Sequence, residues 1–118
     1  MDNGKIRIKR YKQVIICESY CSDEIILTDI EWFNDSLRKK YSPPFYLIIV
    51  KSGDYSISKD AQIHLFNVNK DIAKVAFVTN TQQDFQYAES ARKTYLQNID
   101  ISICDSIESA YEKITESI

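Results

Sequence analysis

Glycine and proline are scarce, two of each in 118 residues. With only Gly4 and Gly53, the backbone can hardly build the glycine-rich turns that cradle phosphate in P-loops and dinucleotide-binding turns. A G-x-S-x-G nucleophile elbow is missing as well. One histidine, His64, and three cysteines, Cys17, Cys21 and Cys104, with no C-x-x-C spacing, fall short of the four ligands at recurring intervals that zinc requires. Neither a metal nor another cofactor is expected. An odd number of cysteines beside apolar runs argues against a disulfide framework and for a reducing compartment. Long apolar runs are also missing. The longest, Phe45 to Val50, is far below the roughly 20 residues that span a bilayer, and Val14 to Cys17 is too short for a signal-peptide core. Fifteen basic and 17 acidic side chains leave a net charge of -2, without the one-signed field of nucleic-acid or membrane-surface binders. The expectation is a soluble, cytoplasmic protein with neither nucleic acid nor membrane as partner.

What is present is a regular alternation of strand and helix signals. A chain of this length buries roughly two-thirds of its unfolded surface without staples. In "KIRIKRYKQVIICES", Ile6 and Ile8 alternate with Lys5, Arg7 and Lys9, the period of a half-buried strand. A break near Tyr11 to Gln13 starts a second strand, and the basic face reads as an edge that lysines protect from pairing. "LTDIEWFNDSLRKKY" reads as a helix. Thr28 and Glu31 have capping-box spacing, Ile30, Phe33, Leu37 and Tyr41 share a face, and Pro43-Pro44 follows its end. "FYLIIV" and "KVAFVT" are apolar on both faces, as in central strands covered by helices, and "IDISIC" reads as a strand nearer an edge. Helical segments fall at roughly 58–68, 82–96 and 106–116, the last with an apolar stripe of Ile107, Ala110, Tyr111 and Ile114.

Strand-helix-strand units force parallel pairing with right-handed crossovers. The expected fold is therefore one α/β domain over residues 1–118: a mixed, mostly parallel sheet of about five strands, an N-terminal antiparallel hairpin and about four helices.

Candidate chemistry is sparse. His64 flanks the apolar line Ala61, Leu65 and Val68, and Cys104 at a strand end has no identifiable base, so no nucleophile-base pair emerges and no catalytic role is expected. Trp32 lies off the apolar face of its helix, either as a partner-binding tryptophan or as a staple on Leu27. "SGDYSISKDA", residues 52–61, leaves a buried strand: Gly53 and Asp54 turn the chain, and Ser58 stands where it caps a helix whose first turn carries Asp60. That helix shows Ile63 and Phe66 on a second side. With Trp32 they form a candidate interaction patch for a protein partner or a second copy of the chain, a homodimer.

In size and alternation the chain resembles phosphoacceptor receiver domains, with Thr79 after "KVAFV" as the hydroxyl residue. However, the acidic pair after the first strand is replaced by Ile16, Cys17 and Glu18, and Asp54 sits three residues into its loop. The closer resemblance is carried by "FYLIIVKSGDYSISKDA", "IAKVAFVTNT" and "IDISICDSIESAYEKI" over roughly residues 42–118. These segments resemble the STAS-like superfamily, the fold of bacterial anti-sigma-factor antagonists, and within it the small uncharacterised bacterial branches. The resemblance implies a non-catalytic regulatory module that docks a protein partner. It also implies a serine in the strand-to-helix loop that a kinase phosphorylates, since phosphate at a helix N-terminus adds charge that blocks docking. The matching positions are Ser58 and Ser56, with Asp54 in the same loop, although the aspartate directly before the serine and the glycine after it in D-S-[ST]-G are not here. An alternative role implied by the same resemblance is sensing of a small molecule, a nucleotide or lipid, in an apolar pocket near Tyr46, Tyr55 and Thr79.

Overall fold

The structure, a computed structural model, describes residues 1–68, 70–79, 81–93 and 100–116, apart from the side chains of residues 66–68, 87 and 91. The chain order is β1 (Ile6–Tyr11), β2 (Val14–Ser19), α1 (Leu27–Lys40), β3 (Phe45–Lys51), α2 (Lys59–Val68), β4 (Ile72–Val78), α3 (Gln82–Lys93), β5 (Ile101–Cys104) and α4 (Ile107–Thr115). The five strands form one sheet in sequence order. β1 and β2 make an antiparallel hairpin, and β2 to β5 run parallel. This is the architecture the alternation implies. No helix of the described residues is long and apolar enough to cross a membrane.

β3 is apolar throughout because it feeds two cores. Successive side chains of a strand point to opposite faces, so Phe45 and Leu47 enter the core under α1 and α2, while Ile48 enters the one under α4. The register sets these residues in rows. Ile15, Leu47, Val75 and Ile101 lie side by side across four strands on the first face, and Ile16, Ile48 and Ala76 on the second. A one-residue slip would exchange the rows. Each fully buried aliphatic side chain contributes about 2 kcal/mol, so register and stability are set by the same residues.

The start of α1 corrects the capping-box reading. Ile26, not Thr28, stands at the cap position. The Ile26 amide donates to Asp29 Oδ2 at 3.0 Å, and Lys5 Nζ pairs with the same oxygen at 3.0 Å. The cause is tertiary. Ile25 is buried in the first core, and its amide donates to the Ser56 carbonyl at 2.8 Å while its own carbonyl accepts from the Ser58 amide at 3.1 Å. This pinning fixes where the chain turns into the helix. Leu27 thus becomes the first helical residue, 39% exposed, and the staple geometry with Trp32 does not form. Trp32 is half-buried against the first core.

In α4, Ser106 Oγ accepts from the Ser109 amide at 3.1 Å, and Ala110 and Ile114 are buried. Ile107, expected on the same stripe, is 40% exposed at the first helical position. The proposed extension of α3 to Leu96, the start of the last strand at Ile99, and the side chain of Val68 lie outside the described residues.

Candidate functional site

The candidate site stands at the carboxyl ends of the parallel strands, where open α/β sheets place their ligands. A cavity of about 470 Å³ lies there between the sheet and helices α1, α2 and α3. Its walls are apolar: Ile30 and Phe33 from α1, Ile49 and Phe77 from the sheet, Leu65 from α2 and Ala88 from α3. Small side chains on the covering helices, Ala61 and Ala88, are themselves buried, so the helices seat on the sheet without filling the space between them.

Polar groups gather where the strands end. Ser19 and Lys51 close β2 and β3, Thr79 directly follows β4, and Asp54, Tyr55 and Asp84 complete the rim. Lys51 Nζ pairs with Asp84 Oδ1 at 2.9 Å and lies 5.1 Å from the centre of the Tyr55 ring. The pair ties the end of β3 to the first turn of α3 across the cavity. Gln62, almost fully buried, lines the wall, and its backbone amide donates to the Ser58 carbonyl at 3.1 Å.

The 52–58 segment forms the lip. The Ser52 and Gly53 amides both donate to the Ser19 carbonyl, at 2.9 and 3.1 Å, and Ser52 Oγ donates to Glu18 Oε2 at 2.6 Å. Gly53 passes so close to the 20–21 backbone that a Cβ there would stand 2.1 Å from the Cys21 carbonyl oxygen. The reason for glycine here is close approach, in keeping with a turn out of the buried strand. Further along, Ser56 is exposed, with its carbonyl held by the Ile25 amide, and Ser58 is half-buried. Ser58 Oγ accepts from the Ala61 amide at 3.1 Å, so the cap read from the sequence is present. Ser58→Ala is expected to lower stability by about 1 kcal/mol, read as a shifted urea midpoint at unchanged slope. A change below a few tenths would show that the cap is dispensable.

The structure brings Asp54, Tyr55, Ser56 and Thr79 together at one rim. Tyr46 does not join them, because its alternation places it against the α4 core. Of the expected interaction patch, Trp32 packs on the first core and Ile63 is half-buried, while the side chain of Phe66 lies outside the described residues. His64 is half-buried. Burial pushes the thiol of Cys17, in the cavity wall, well above its ordinary range; that of Cys104 is raised by burial first and by Asp105 second. Both sulfurs are therefore held as thiols rather than as reactive thiolates. Among the described residues, no three His, Cys, Asp or Glu side chains gather to hold a metal ion. The sequence reading missed Lys51, Asp84, Ile49, Leu65 and Phe77. A strand-end rule would have found Lys51, but Asp84 reaches the rim only through the packing of α3.

A five-stranded mixed sheet with three crossover helices on one face and the last helix on the other defines a STAS-like fold. The chain is similar to the crystal structure of an uncharacterized protein of the DUF3478 family with a SpoIIAA-like fold from Shewanella loihica PV-4. The TM-score is 0.60 over 97% of this chain and 98% of that one, at 14% identity. The chain thus has the SpoIIAA-like fold. No family model and no curated protein matches it.

Proposed function

We propose that this chain is a non-catalytic binding module whose receptor site is the cavity at the carboxyl ends of β2, β3 and β4. The observation that carries this reading is the combination of about 470 Å³ of space, apolar walls and a polar rim confined to one end. That volume falls in the range of small-molecule sites, which are mainly apolar with a few placed polar groups. A molecule with an apolar body and a polar end fits both parts. Occupancy would act on the Lys51–Asp84 tie between β3 and α3, which gives a bound molecule a route to the protein's surface.

A thermal-shift panel of nucleotides, fatty acids, alcohols and amines tests this proposal. At a hundredfold excess over Kd, a true ligand stabilises by about 2.7 kcal/mol, a shift of several degrees for a domain of this size. Ala88→Leu, which places a larger side chain in the cavity wall, should abolish the shift while leaving the fold intact. No stabilisation by any apolar compound, or a shift that survives Ala88→Leu, would contradict the reading.

A protein-docking role is the second reading. It is favoured by Ile26, Leu27 and Phe85, which are exposed at the starts of α1 and α3. Such apolar groups at the helix starts would supply a partner's contact surface beside the 52–58 lip.

A further inference from the structure

We infer that the polar end of the molecule held in this cavity is cationic, an ammonium or a related nitrogen cation on an apolar chain; this rests on the cavity being the receptor site. Among the described residues the cavity is lined by three charged side chains, Lys51, Asp54 and Asp84. Lys51 is engaged by Asp84 at 2.9 Å. Asp54 is exposed at the rim and, among the described residues, has neither a hydrogen bond nor an ion pair. The free charge at the mouth is therefore a carboxylate. An anionic head would have to displace Asp84 from Lys51 and would also face Asp54, whereas a cationic head meets Asp54 directly. Tyr55, already stacked with the Lys51 ammonium, adds an aromatic face to the same rim, a surface that attracts cations.

Helix ends do not reverse this preference. The first turns of α1, α2, α3 and α4 carry Asp29, Asp60, Asp84 and Glu108, while basic residues close α1, α3 and α4. The crossover helices return against the strands, so acidic first turns gather at the carboxyl edge and answer the partial positive charge of the helix starts. One first-turn amide of α2 and one of α3 are also capped by a hydroxyl oxygen. Ser58 Oγ takes the Ala61 amide and Thr81 Oγ1 takes the Asp84 amide, each at 3.1 Å. Two other carboxylates of this end are paired, Glu18 with Arg7 and Ser52, and Asp29 with Lys5.

The test compares octylammonium, octanol and octanoate at pH 7 on the full chain, below their aggregation concentrations, with Kd taken from amide chemical-shift titrations. Octylammonium is expected to bind at least about fivefold more tightly than octanoate, as one rim charge pair warrants. The preference should shrink in 0.5 M salt. Asp54→Asn, an exposed position outside the core, should remove most of that preference and leave octanol unchanged. Octanoate binding as tightly as octylammonium, or a preference that survives Asp54→Asn, would overturn the inference while octanol binding keeps the cavity reading in place. Failure of all three to bind would remove both.

Discussion

Phe45→Ala is expected to cost about 4 kcal/mol, a large share of the 5–15 kcal/mol that holds a domain together. Phe45 begins the central strand, is fully buried in the first core and has β4 at its side through Ile72. Removing its ring leaves a void between the sheet and the helices α1 and α2, beside a backbone tied to β4, so the walls collapse little. Ile49→Ala, on the same strand and the same face, should cost about half as much, because Ile49 is half-buried and already borders open space. Urea unfolding of the two variants measures the contrast. Equal losses would mean that the cavity is closed and packed in solution.

Gly53→Ala should cost about 3 kcal/mol, at the upper end of what inserted atoms do in packed regions. The nearest neighbours of the added methyl group are main-chain atoms, the Cys21 carbonyl oxygen at 2.1 Å and the Tyr20 carbonyl carbon at 2.5 Å. No side-chain rotation relieves that contact. The 52–58 lip must move away from β2, breaking the two amide bonds to the Ser19 carbonyl. Since that lip carries Asp54 and Tyr55, ligand binding should fall along with stability. A loss under about 0.5 kcal/mol, the usual range of surface substitutions, would contradict the close approach.

Much of the architecture was legible in the residues because two periods point to the same fold. The alternation of Ile6 and Ile8 marks an edge strand, and continuous apolar character marks β3 as central. Acidic helix starts and basic helix ends agree with the crossovers. Where local signals misled, long-range contacts had decided the outcome. Thr28 has good capping chemistry, yet Ile25 is bonded to Ser56 and Ser58 of the lip, far on in the chain, and this moves the helix start. Tyr46 and Tyr55 are the same residue type but fall on opposite faces. The serine-rich loop was legible as a helix cap and a turn. Its larger role, closing the rim of a cavity, depends on Ile49, Leu65, Phe77 and Ala88, which read individually as core residues. An empty volume has no sequence signal of its own, since it arises from how the helices seat on the sheet.

The most direct measurement of the central claim is the location of a bound molecule, read from amide and methyl chemical shifts on saturation with a compound that stabilises the protein. The account predicts perturbation of Ile49, Tyr55, Leu65, Phe77 and Ala88 around the cavity, with Val14, Ala76 and Ile114 of the opposite core unmoved. Saturable shifts centred on the α4 face, with the cavity residues unchanged, would contradict it.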